Sequence, residues 1–317
     1  MKAPVDLTPA SDGLPGIDVF TISPPGLGTT LRISIARPVQ PAIGGNPDIP
    51  PTMAYVTDAD YLFGTLADAA RVGSFGGDLA PSIVVGIGYA EETGNLAFVT
   101  KRRFLDFYRG PRRRFDAGAY GSFEFGGADA FLAAIADHVI PSVESRFAGG
   151  GVARRVLLGT SAGGHFSAFV LSQRPELFQG YAMMSPMLVD PQTPVDGAIV
   201  RQQGDGSIVQ LIQNLPRGHL SPGTRVFLSA GGLEEDPGSM FADFAIISNA
   251  MRMRTAVAHL GAETELAVFP GETHGSVTGG ASRRALRFLL PALTGAPDWR
   301  AALADTGEAP ASDEPST

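Results

Sequence analysis

The chain has 317 residues, 44% of them hydrophobic and 18% charged, which is enough apolar material for one large α/β domain or two smaller ones. Its formal net charge of −8 argues against a nucleic-acid partner, and the lack of cysteine excludes disulfides, zinc–thiolate sites and thiol nucleophiles. The N-terminus lacks the apolar core of a secretory signal, and no run approaches the roughly 18 apolar residues of a membrane span, so a soluble cytoplasmic protein with no membrane partner is expected.

Two β-rich runs, Ile17–Ser23 and Leu31–Val39, flank Pro24-Pro25-Gly26-Leu27-Gly28 and read as an antiparallel pair. A proline- and glycine-rich loop, Gln40–Pro51, leads to a strand at Met53–Thr57 and a helix over 61–71. Ser82–Gly88 is a continuous apolar run, as in the middle of a parallel sheet. An irregular stretch follows. Ala128–Phe147 then shows a long helical period, with Phe131, Ile135, Val139 and Val143 on one face. Strand Arg155–Leu158, a helix over 163–173 and strand Gln179–Met184 come next. Strand Arg225–Ala230, a helix over 240–260, strand Thr264–Phe269 and helix Ser282–Leu293 complete the pattern. Strand and helix alternate from Met53 onward on one mostly parallel sheet. Residues 1–298 read as one domain, and 299–317, rich in Ala, Pro, Asp, Glu, Ser and Thr, as a disordered tail.

The segment Val156-Leu157-Leu158-Gly159-Thr160-Ser161-Ala162-Gly163-Gly164 runs from an apolar strand through G-x-S-x-G into helix-compatible residues, the context of a nucleophile elbow. Gly159 and Gly163 leave room for the tight turn, Ser161 stands over the sheet edge, and the Ala162 amide is available to a developing oxyanion. A serine hydroxyl needs a base, and the chain has only five histidines. His138 lies on the polar side of a helix, His219 and His259 precede strands, and His165 points into the packing of the elbow helix. His274 remains, in the loop after the last strand, on the edge where open α/β sheets put ligands. A carboxylate must hold the base, and Glu234, Glu235 and Asp236 all follow strand Arg225–Ala230, so spacing leaves three candidates. The second oxyanion donor of such a fold comes from the loop after the third strand, here backbone N–H groups near Asp60.

These residues resemble the putative-esterase branch of the α/β-hydrolases, which includes enterochelin-type esterases, S-formylglutathione hydrolase and feruloyl esterase domains. The pieces that match are Val84–Tyr89, Gly126–Leu132, Gly159–Phe166, Pro175–Phe178 with Ser185-Pro186, and Gly271–Val277. The resemblance implies an α/β-hydrolase fold, a three-layer sandwich with an N-terminal antiparallel pair. It implies Ser161 as nucleophile and His274 as base, and its Gly-x-x-acid turn maps onto Gly231–Glu234, favouring Glu234. Seven basic residues crowd 101–114, and an Arg-x-x-Asp-aromatic element of enterochelin-type relatives maps onto Arg103-Phe104-Leu105-Asp106-Phe107. Arg103, oriented by Asp106, and Tyr89 are therefore the substrate-binding candidates, with a solvated basic loop as the alternative. The expected activity is hydrolysis of a carboxylic ester or lactone through an acyl-enzyme, with no metal or cofactor and a small-molecule ester as the partner. Siderophore-type trilactones, aryl esters and S-acyl glutathione stay open as substrates. Acyl transfer by the same residues and a non-catalytic binding scaffold are the alternatives.

Overall fold

The computed structural model describes residues 16–38, 50–91, 94–116, 122–149, 151–189 and 207–291. β1 (Ile17–Ile22) and β2 (Leu31–Ala36) pair antiparallel, from Ile17 opposite Ala36 to Ile22 opposite Leu31. β2 stops short of the expected Val39, because Pro38 has no N–H to give a neighbouring strand. β3 (Thr52–Val56) leads into α1 (Ala59–Phe75), and β4 (Ser82–Tyr89) follows. Every residue of β3 and β4 is buried, as continuous apolar runs between two helix layers require.

The stretch read as irregular contains α2 (Leu96–Phe107) and a hairpin of β5 (Arg113–Asp116) and β6 (Ser122–Phe125). Asn95 caps α2, its side chain accepting the amides of Ala97 and Phe98. Leu96, Val99, Arg103 and Phe107 then recur at helical spacing, a period that the run Lys101-Arg102-Arg103 obscures.

α3 (Ala128–Ala134) and α4 (Ile140–Phe147) form one rod joined by a π turn at Ile135–Val139. Pro141 lacks an amide and crowds the carbonyl four residues back, and the wider turn relieves that clash. Phe131, Ile135, Val139 and Val143 are buried along one face, as their period predicts.

β7 (Arg154–Thr160), α5 (Ala162–Gln173), β8 (Gly180–Met184), α6 (Ile208–Gln213) and β9 (Arg225–Gly231) follow. α7 (Ile246–His259), β10 (Glu263–Phe269) and α8 (Thr278–Leu289) close the described chain. α7 starts at Ile246 rather than near Met240, because Ala242–Phe244 forms a 3-10 turn and Ala245 breaks the helix with φ 47°.

The eight strands lie in the order β1-β2-β4-β3-β7-β8-β9-β10, parallel from β4 onward, with β10 at the edge. α1 and α8 cover one face through Leu62, Leu66, Leu286 and Leu289, packed on Val56, Leu158 and Phe227. The other helices cover the opposite face around Phe131, Phe166, Tyr181 and Met253. This is the α/β-hydrolase sandwich with its N-terminal antiparallel pair. Most of the loop before β3 and the tail 299–317 lie outside the described residues. Among the described residues no helix is long and apolar enough to cross a membrane.

Candidate active site

β7 delivers Ser161 to the carboxyl edge near the middle of the sheet. Ser161 takes φ 57° and ψ −117°, the strained conformation of an elbow. Two glycines permit it: a Cβ on Gly159 would lie 2.2 Å from the Gly163 carbonyl oxygen, and one on Gly163 would lie 1.8 Å from Asp58 Oδ2. The Ser161 carbonyl accepts the amides of His165 and Met187, and the Ser161 amide donates to Met184. Ala162 opens α5, so its amide has no intrahelical acceptor and stands at the positive end of the helix dipole.

The base and its carboxylate hang from β10 and β9. His274 Nδ1 lies 2.7 Å from Glu234 Oε1, and Glu234 is fully buried. A carboxylate accepts only, so the proton sits on Nδ1 and Nε2 keeps its lone pair for a hydroxyl. Glu234 Oε2 accepts the Gly231 amide, and the Leu233 amide ties the acidic turn to Glu272, two residues from the base. Phe241 stacks on the imidazole with ring centroids 3.9 Å apart, a contact that nothing in the sequence pattern signals. No hydrogen bond joins Ser161 Oγ to His274 in this structure, but both side chains line one cavity.

The other two acids have different work. Glu235 holds the first turn of α7 by accepting the amide and hydroxyl of Ser248, and Asp236 is exposed. Glu234→Gln is therefore expected to lower kcat by at least tenfold more than Glu235→Gln or Asp236→Asn, with little change in melting temperature. A larger loss at Asp236 in steady-state kinetics would move the acid along the turn.

The turn after the third strand contributes a carboxylate that no pattern in the sequence marks. Asp58, completely buried, accepts Arg103 Nε at 2.5 Å on Oδ1 and the Thr160 amide at 2.8 Å on Oδ2. Arg103 Nη2 donates in turn to the Thr160 carbonyl at 3.2 Å. The residue before the nucleophile is thus held by its amide and by its carbonyl. Burial works against the Arg103 charge, but the Asp58 carboxylate outweighs it and holds the guanidinium above its ordinary pKa.

Three expectations need correcting. Asp106 does not orient Arg103; it binds Arg102 at 2.9 Å and accepts the Tyr89 hydroxyl at 3.0 Å. Burial raises the Asp106 pKa to about 6 against the pull of Arg102 and that hydroxyl. Tyr89 is buried there and does not line the cavity. Asp60 is also absent from the lining: its carboxylate binds Arg32 at 2.6 Å and the Tyr89 amide at 3.2 Å. Arg112 and Arg114 are exposed, as a solvated stretch would be.

A cavity of about 830 Å³ opens over Ser161, Ala162 and His274. Seven aromatic rings line it, from Tyr61 (α1), Phe104 (α2), Tyr108, Phe123 and Phe125 (β6), and Phe241 and Phe244. A strained serine, a helix-end amide and a carboxylate-held imidazole at one apolar cavity are the parts of acyl transfer through a covalent intermediate.

The comparisons agree with that chemistry. The ferri-bacillibactin esterase BesA of Bacillus subtilis is 28% identical over 287 residues, 87% of this chain and 90% of the relative. A siderophore triacetylfusarinine C esterase of Aspergillus fumigatus is 34% identical over 143 residues, 44% of this chain and 45% of the relative. Among solved structures, siderophore hydrolase EstB from Aspergillus nidulans superposes with a TM-score of 0.70 at 22% identity, covering 92% of this chain and 99% of that one. Residues 76–293 match the family described as Putative esterase, so the chain is an ester hydrolase that belongs to that family.

Proposed function

We propose that this serine esterase hydrolyses an ester bond in the backbone of a siderophore. Ser161 attacks the carbonyl as His274 Nε2 takes its proton. Glu234 steadies the imidazolium that forms, and the Ala162 amide binds the oxyanion. The imidazolium then protonates the departing alkoxide, and water, deprotonated by the same nitrogen, releases the acid. The observation that carries this reading is the 2.7 Å contact of His274 with buried Glu234 beside the cavity that Ser161 also lines. The siderophore assignment draws on the two relatives above, both named as siderophore esterases. Mass spectrometry of a ferric trilactone siderophore incubated with the enzyme tests it. One added water per cleaved ester is the expected product, and an unchanged chelate alongside hydrolysed aryl esters would defeat the substrate assignment.

A further inference from the structure

One permanent charge lines the cavity among the described residues, that of Arg103, and its Nε donates to a fully buried carboxylate 2.5 Å away. We propose that the pocket selects electroneutral esters. Among iron chelates, it takes one whose three ligand arms carry a single negative charge each, balancing Fe³⁺, over one whose arms carry two and leave a charge of −3. The chelate part rests on the siderophore reading; the charge selection belongs to the pocket itself.

Arg103 is turned inward. Its Nε holds Asp58, its Nη2 holds Thr160, and its guanidinium lies 4.9 Å from the Tyr61 ring centroid and 5.6 Å from that of Phe107. Burial pushes the Asp58 carboxyl above the usual carboxylate range, and the two N–H donors on its oxygens, one of them cationic, pull the other way, toward the ionised pair. From the cavity, Arg103 and Asp58 present a dipole rather than a cation. Glu234, fully buried, holds His274 Nδ1 at 2.7 Å on the other side of the cavity and offers an incoming anion no positive partner.

An anion entering among aromatic walls would lose its water without gaining a free positive partner. The chain's net charge of −8 disfavours its approach as well. Arg113 stands opposite Phe125 in the β5–β6 register, and directly paired residues share a face, here the one with the cavity-lining phenylalanine.

The test uses two esters that differ by one charge and one methyl group, p-nitrophenyl methyl adipate and p-nitrophenyl hydrogen adipate. The wild-type enzyme should favour the neutral ester by about tenfold or more in kcat/KM at low salt, and added salt should narrow the gap by speeding the anion. Asp58→Asn removes one charge with little change of shape and unmasks Arg103. It should move the ratio toward the anion by about tenfold, whatever happens to the absolute rates. If that variant does not fold, the wild-type ratio and its salt dependence still decide. Wild-type rates within threefold of each other, or an anion preference abolished by Arg103→Ala or Arg113→Ala, would overturn the proposal. Ferric tris-hydroxamate and tris-catecholate esters separate the two readings. Neutral preference on the adipates with neither chelate cleaved removes the siderophore assignment alone. Faster cleavage of the −3 chelate removes the charge selection and keeps the siderophore assignment.

Discussion

Replacing Ser161 or His274 with alanine is expected to lower kcat on a chromogenic ester on the order of 10⁴–10⁶-fold, and the double variant should be scarcely worse than either single one. The reason is geometric. Ser161 is a weak nucleophile unless a base takes its proton during attack, and His274 is tied to Glu234 by a 2.7 Å contact through the nitrogen that cannot serve. Only Nε2 faces that task, so each residue is without effect when the other is missing. Ser161→Ala should melt near the wild-type temperature. The serine carries no side-chain bond that holds the elbow, since the turn is fixed through its backbone carbonyl and amide. Stopped assays with enough enzyme to detect a 10⁵-fold loss would settle the matter. More than about a tenth of wild-type activity in Ser161→Ala would exclude it as the nucleophile.

Asp58→Ala is expected to be nearly as damaging, by a different route. It leaves the Arg103 guanidinium and the Thr160 amide without their acceptor in a buried place, at a cost of about 3–5 kcal/mol when one partner of a buried ion pair is removed. It also frees the residue before Ser161, so kcat should fall by at least a hundredfold while KM changes little. Arg103→Ala should do the same from the carbonyl side, and because it leaves the Asp58 carboxylate unpaired, the loss should be at least as large on a negatively charged ester as on a neutral one. Gly163→Ala provides the control for mechanism: its Cβ would meet Asp58 Oδ2 at 1.8 Å and displace the carboxylate without altering any charge. Urea denaturation and steady-state kinetics on the three variants check this together. A variant at Asp58 that keeps full kcat would show that the elbow stands without its clamp.

The strand that ends at Ser161 was legible because an apolar run stopping at Gly159-Thr160-Ser161 has few other structural readings. His274 was legible by elimination among five histidines and by its place after the last strand. Spacing could not choose among Glu234, Glu235 and Asp236, because the choice lies in which side chain the turn points inward. Burial separates them: Glu234 is enclosed, whereas Glu235 caps α7. α2 was hidden because three consecutive basic residues mask an amphipathic period, and only Asn95 marked its start. The Asp58–Arg103 pair joins positions 45 residues apart, and nothing local in either segment announces it. Pairing Arg103 with Asp106 favoured the nearer acid, yet a helix turns Asp106 toward Arg102, its i−4 neighbour.

The nucleophile and the base stand on unequal ground. Ser161 directly follows β7, which has a hydrogen-bonded strand on either side, whereas His274 follows β10, which has β9 on one side only. Residues of β10 are only partly covered, and Val268 is 42% exposed. Outer rungs of a sheet open with less free energy than its centre. The catalytic lifetime of the enzyme on warming is therefore governed by how long one marginal strand keeps its imidazole in register, and not by the melting of the fold. Bonds added between β10 and α8, such as a second partner for Arg284 beside Glu265, would prolong that lifetime without touching a catalytic atom.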